Sequence, residues 1–306
     1  MRSRSVASDT ATGSAPRFVP EPALRAQLER LSVVSVRPHG HLHTGGRRSR
    51  ATGSSIEFAD HRRYSPGDDF RQIDWNVYAR SDSLFVKVRE SEETLLVHLL
   101  LDTSGSMGTG RPAKFEVARA VLAALAWMAL AGHDVLAGAA FGQSLGELFA
   151  PQSSRRQADR FFEYLARQEA HGGTGLRAAA QAYGARALPH GVAVLVSDLL
   201  SPDATAAIGA LAEQGHELTV VHVLDAEFLR PQLADDVELE DIEGGGLLPV
   251  FADAELLRAY AESVNGWLQE MERFCHQRGV RYVPVESDWP VEDIVLRRLR
   301  QHGVVA

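Results

Sequence analysis

The chemistry in this sequence gathers first at Asp102-Thr103-Ser104-Gly105-Ser106-Met107, a D-x-S-x-S pattern at the end of an apolar run. One carboxylate and two hydroxyls fall at alternate positions, with Gly105 permitting a tight loop between them. Carboxylate and hydroxyl oxygens are hard ligands that suit Mg²⁺ or Mn²⁺. Three such groups do not complete six positions. A second loop, His171-Gly172-Gly173-Thr174-Gly175, offers the hydroxyl of Thr174, and a third, Ser197-Asp198-Leu199, offers the carboxylate of Asp198. Taken alone, D-x-S-x-S also serves as a capped turn, because Asp and Ser are favoured helix caps. The matched loops elsewhere in the chain raise it above that reading.

Three loops can meet only if strands bring them to one edge. Three continuous apolar runs do this: LLVHLLLD (95–102), VAVLVSD (192–198) and LTVVHVLD (218–225), each of strand length and each ending in aspartate. Unbroken apolar runs suggest strands buried on both faces, as in a parallel sheet. Segments 134–142 and 280–287 are further strand candidates. Helical segments are expected at 115–131, 154–169, 175–187, 203–214, 253–278 and 291–302. The alternation argues for an α/β, doubly wound, mostly parallel sheet flanked by helices. Ligands in such folds bind beyond the carboxyl ends of the strands, where these aspartates fall.

Ahead of this domain the chain is organised differently. Residues 1–20 read as a disordered tail rich in Ser, Thr, Ala and Arg. Residues 21–92 read as a short helix carrying Leu24, Leu28 and Leu31, then a small β-rich region with strands at 55–58, 71–75 and 84–88. Residues 93–306 form the α/β domain. Asp68, Asp69, Arg71, Asp74, Trp75 and Arg80 are a candidate partner surface, but the favoured reading is structural, with buried Arg–Asp pairs and a packed Trp75 holding a small sheet against the main domain. His39, His41 and His43, and the cluster Arg47, Arg48 and Arg50, read as solvated loop.

Composition narrows the functions. The chain has 306 residues, 45% hydrophobic and 24% charged, ordinary for a globular protein. Residues 1–63 carry 11 Arg and 5 acids, so the remaining 21 basic and 35 acidic residues leave the body at net −14. That argues against a nucleic-acid groove across the body. The single Cys275 excludes an internal disulfide framework and a cysteine-cluster zinc site. No apolar run is long enough to span a bilayer and no signal peptide is evident, so the expectation is a cytoplasmic protein. Only Lys87 and Lys114 are lysines.

The loop set resembles the metal-ion-dependent adhesion site of von Willebrand factor A domains. The upstream stretch SIEFADHRRYSPGDDFRQIDWNVYARSDSLFVKVRESEE, followed by LDTSGSM, resembles the signature of the bacterial domain-of-unknown-function family numbered fifty-eight, over roughly residues 30–300. The resemblance implies a von Willebrand A-like fold with a β-rich N-terminal segment. It implies a non-enzymatic, Mg²⁺-dependent (or Mn²⁺-dependent) protein-binding module, with Asp102, Ser104, Ser106, Thr174 and Asp198 around the cation. It also implies a MoxR-type AAA-plus ATPase, a client protein, or both, as partner. A scaffold with a vestigial site is the bland alternative. A haloacid-dehalogenase-like phosphatase needs a second aspartate where Ser104 stands and a lysine downstream of Lys114, and an aspartic protease needs a second D-T-G loop. The sequence supplies none of these, so no catalytic constellation is evident.

Overall fold

The computed structural model describes residues 18–36, 60–65, 73–81, 83–88, 94–231, 235–240 and 247–306. In chain order the elements are helix α1 (Pro22–Leu28), strand β1 (Asp60–Arg63), helix α2 (Trp75–Ser81), strand β2 (Phe85–Val88), β3 (Leu96–Asp102), α3 (Lys114–Ala131), β4 (Val135–Phe141), β5 (Leu145–Gln152), α4 (Ala158–Arg167), α5 (Leu176–Gly184), β6 (Val192–Ser197), α6 (Ala204–Glu213), β7 (Glu217–Leu224), α7 (Ala226–Leu229), β8 (Asp235–Glu240), β9 (Leu247–Ala252), α8 (Ala254–Gln277), β10 (Arg281–Glu286) and α9 (Val291–Asp293), which runs on into a π-helical turn at Ile294–Leu299. Two compact units result. One holds the described residues of Met1–His39 and Leu95–Ala306, the other those of Gly40–Thr94.

The larger unit is a mixed α/β domain on a six-stranded sheet, ordered β10-β7-β6-β3-β4-β5. Every neighbouring pair is parallel except β4 with β5. This is a von Willebrand A-like arrangement. β3, β6 and β7 are buried along their whole length, as their unbroken apolar runs require. On one face Val97, Leu99 and Leu101 join α3 and α4, and on the other Leu100 and Leu195 join α5 and α6. α3 is apolar nearly all round and buried from Phe115 to Leu130 apart from Glu116 and Arg119, so it lies against the centre of the sheet. The antiparallel edge strand β5 and the hairpin of β8 with β9 were not foreseen. In β5 exposed and half-buried positions dominate, so it carries no continuous apolar run to mark it.

The short N-terminal helix α1 belongs to this unit and not with the β-rich region. Leu24 and Leu28 are buried in the core with α3, and the Arg25 guanidinium lies 4.5 Å from the Trp127 ring centroid. Beyond it, Val33 bridges antiparallel to Val305, tying the segment to the C-terminus. Among the described residues no helix is long and apolar enough to cross a membrane.

In the smaller unit β1 and β2 pair antiparallel, with Arg63 opposite Phe85. The expected strand at 71–75 is corrected at its end: residues 71 and 72 lie outside the described residues and Ile73 forms a β-bridge, but Trp75 opens α2, because Asp74 accepts the Val77 N–H in the manner of a helix cap at 3.3 Å. The packed-tryptophan reading also fails, since Trp75 is 61% exposed and meets Tyr78 edge-on. Asp74 is buried and Arg80 exposed. Asp68, Asp69, Arg71, the strand at 55–58, the three loop histidines and the Arg47–Arg50 cluster lie outside the described residues.

Two histidines sit inside the sheet. His98 Nδ1 meets the Tyr183 hydroxyl at 2.7 Å and Nε2 the Pro189 carbonyl at 3.1 Å. Burial, with His216 alongside, pushes its pKa down to about 3. The fold therefore favours the neutral ring. The stability this contributes is complete above the unfolded value of 6.5 and is lost as pH falls from 6.5 toward 3. Relative to a His98→Asn variant, the wild type should lose about 2 kcal/mol between pH 7 and pH 5. Urea unfolding of both proteins at the two pH values measures this, and a pH-independent difference would contradict it.

Candidate metal centre

From β3 the chain moves to β4 on one side, and after β5 it returns to place β6 on the other side. The carboxyl ends of β3 and β6 therefore flank a topological switch point, the usual ligand crevice of such sheets. Asp102 ends β3 and Asp198 follows β6, so the two carboxylates arrive there from adjacent strands.

Asp102 is fully buried and held on both oxygens. Oδ1 accepts the Ser104 N–H at 2.9 Å, and Oδ2 accepts the Ser197 hydroxyl at 2.5 Å. Burial, then the charge of Asp198, raises its pKa to about 6, against the pull of these hydrogen bonds. The loop it shapes turns into a short 3₁₀ segment at Gly105–Gly108 and brings Ser104 Oγ within 3.1 Å of Ser106 Oγ, both serines buried.

The second loop is clamped to the first. Gly105 N–H donates to the Gly172 carbonyl at 2.9 Å, and His171 N–H donates to Thr103 O at 3.0 Å. Thr174 is half-buried on this clamped loop. The approach needs glycine: a Cβ on Gly105 would lie 3.0 Å from the Gly172 oxygen, and one on Gly175 would lie 2.3 Å from the Gln143 oxygen.

The third loop carries strain. Leu199 is buried at φ 54°, a left-handed conformation uncommon for leucine. Its N–H donates to Ser197 Oγ at 2.9 Å, and the Leu200 N–H donates to Asp198 Oδ1 at 3.1 Å. Asp198 Oδ2 accepts from Lys114 Nζ at 2.6 Å, an ion pair whose side chains are both only 3% exposed. Behind it, His222 Nε2 meets the Asp198 carbonyl at 2.8 Å.

Thus Asp102, Ser104, Ser106 and Asp198 converge, and the loop of Thr174 is fastened beside them. Sequence reasoning missed Lys114 and Ser197. Lys114 carried a signal: it is one of two lysines in the chain and opens the long, almost wholly buried helix α3. Asp225, at the end of the third apolar run, lies elsewhere on this edge, its carboxyl beside Gly110. Among the described residues no group of three or more His, Cys, Asp and Glu gathers as a metal cluster, so the candidate donors combine carboxylates with hydroxyls.

These residues suit a small hard cation. Neighbouring ligands around octahedral Mg²⁺ stand about 3.0 Å apart, given metal–oxygen distances near 2.1 Å. The two serine oxygens have this spacing already, at 3.1 Å. Of the two buried carboxylates, Asp102 brings uncompensated negative charge, while that of Asp198 is offset by Lys114.

Fold and site together define a mixed α/β domain with a buried carboxylate–hydroxyl cluster at the switch point of its sheet. The chain belongs to the family described as Protein of unknown function DUF58, whose model matches residues 60–266. Uncharacterized proteins of Mycobacterium bovis and Mycobacterium tuberculosis are 27% identical over 298 residues, covering 94% of this chain and 93% of the relative. Two solved structures are similar. The conserved hypothetical protein BatB from Bacteroides thetaiotaomicron is 17% identical, covering 68% of this chain and 98% of that one, with a TM-score of 0.41. An aerotolerance-related membrane protein from Bacteroides fragilis is 19% identical, covering 68% and 99%, with a TM-score of 0.38.

The contact at Gly175 can be tested directly. Gly175→Ala should destabilise the domain by about 1–3 kcal/mol, because its methyl group overlaps the Gln143 carbonyl. Gly173→Ala, with nothing within 4 Å of the added carbon, should stay within about 0.5 kcal/mol of wild type. Chemical denaturation of the two variants distinguishes them.

Proposed function

We propose that this chain is a non-enzymatic, Mg²⁺-dependent protein-binding module that captures an acidic side chain of another protein. The observation that carries the reading is the convergence of Asp102, Ser104 and Ser106 with Asp198 at the sheet switch point. Asp102, Ser104, Ser106, Thr174 and Asp198 would hold Mg²⁺ or Mn²⁺, with the metal-ion-dependent adhesion site of von Willebrand A domains as the analogy. A bound divalent cation supplies an attachment point for a carboxylate. The protein residues do the rest: Ser197 and the Ser104 N–H orient Asp102, and the Gly105–Gly172 clamp holds the threonine loop alongside.

The partner in this reading is a MoxR-type AAA-plus ATPase, a client protein undergoing assembly or maturation, or both, in the cytoplasm. The family resemblance suggests that partner. A second reading, a scaffold with a vestigial site, draws on one specific observation: the Lys114 ammonium already neutralises Asp198.

Metal titration separates the two readings. At a tenfold excess over Kd, Mn²⁺ should stabilise the wild type by about 1.4 kcal/mol, a Tm rise of roughly 3–5 °C. Ser104→Ala and Asp102→Asn should fold and lose this rise. Asp102→Asn is preferred to alanine, because alanine would leave the buried Ser197 O–H without its acceptor at a cost of about 1–3 kcal/mol. Pull-downs with and without EDTA should differ in bound protein. Identical Tm values with and without metal in the wild type would establish the vestigial scaffold.

A further inference from the structure

The buried ion pair of Lys114 and Asp198 has no place in a simple cation site. A lysine ammonium held 2.6 Å from one of the two carboxylates competes with a divalent cation for that charge. Other ion pairs among the described residues have at least one partner more exposed, so this is the pair that water screens least. Lys114 opens α3 immediately after the D-x-S-x-S loop, and the buried length of α3 anchors its backbone. Among the described residues Asp198 is the hydrogen-bond acceptor of Nζ, which leaves donors for a further oxygen.

We propose that Lys114 couples cation binding to capture of an acidic ligand, a role that rests on the metal-dependent reading above. Charge bookkeeping gives the reason. Asp102, Asp198 and Lys114 together carry −1, so a bound divalent cation brings the cluster to +1. One incoming carboxylate then returns it to zero. Without the ammonium, the cation alone would reach neutrality, and an added carboxylate would leave a buried net negative charge, which a low-dielectric site disfavours. Lys114 therefore weakens binding of the bare cation and strengthens binding of the carboxylate that follows. It sets specificity for an acidic partner without itself being a ligand of the cation.

The test measures Mn²⁺ binding to the full chain by titration with detection of free Mn²⁺, with and without acetate as carboxylate probe. Wild type, Lys114→Gln, Lys114→Arg and Ser104→Ala are compared, with circular dichroism as the check on folding. In the wild type, acetate should tighten Mn²⁺ binding several-fold. In Lys114→Gln, bare Mn²⁺ should bind at least about tenfold more tightly, and the acetate effect should vanish. Lys114→Arg, which keeps the charge, should behave as wild type. If Lys114→Gln folds only when Mn²⁺ is present, the cation has replaced the ammonium, which also supports the proposal. Equal bare-Mn²⁺ affinity in wild type and Lys114→Gln, with binding lost in Ser104→Ala, would overturn the role of Lys114 and leave the metal reading standing. Absence of Mn²⁺ binding in every protein would overturn both.

Discussion

The carboxylate of Asp102 is the point on which the sheet edge depends. It is fully buried, and both its oxygens are occupied by the loop and strand that must meet there. The Ser104 N–H folds the β3 loop back on it, and the Ser197 hydroxyl fastens the end of β6 to the end of β3. A buried carboxylate without these donors would cost several kcal/mol, so the geometry of the loop and the ionisation of the group are linked. The raised pKa of Asp102, to about 6, shows that burial and the neighbouring Asp198 outweigh the compensation.

The same edge shows why this arrangement needs a large core behind it. Strain at Leu199, close glycine contacts and a buried ion pair are each unfavourable in isolation. They persist because strands buried on both faces, with an all-round apolar α3 between sheet and solvent, over-determine where the loop ends lie. The α1 segment and the Val33–Val305 bridge extend that core at the protein's termini. The histidines within the sheet follow the same rule: His222 is buried neutral, and its ring supports the Asp198 carbonyl.

The smaller unit has a different physical character. Its described part is a two-stranded ribbon and a seven-residue helix, in which Ile73 is buried and α2 presents Trp75 and Tyr78 outward. Two-stranded ribbons alone are marginal in water. An exposed Trp–Tyr pair in such a setting contrasts with the α/β unit, where the large aromatic side chains of Tyr164, Tyr183, Phe141 and Phe161 are wholly enclosed.

The apolar runs 95–102, 192–198 and 218–225 were sufficient to expose the parallel strands, because burial on both faces removes polar residues from every position. Helices were legible for a related reason: their lengths and apolar faces repeat at a fixed period, and the expected limits lie within a few residues of those observed. β5 was not legible, since its positions are exposed or half-buried and read as loop, and in the β8–β9 hairpin the acidic β8 (DDVELE) and the proline within β9 (LLPVFA) both argue against strands. Trp75 misled because an aromatic residue favours a strand, while the cap supplied by Asp74 starts a helix there. At the site, the D-x-S-x-S loop, Thr174 and Asp198 could be named from local pattern alone. The pairing of Lys114 with Asp198, the hold of Ser197 on Asp102 and the strain at Leu199 could not, because each joins residues on separate elements or fixes a backbone angle that pattern does not encode. Sequence by itself determined which oxygens stand at the strand ends. Only the tertiary structure decided that an ammonium shares them, because an ion pair spanning 84 positions exists only after the sheet has brought β6 beside the start of α3.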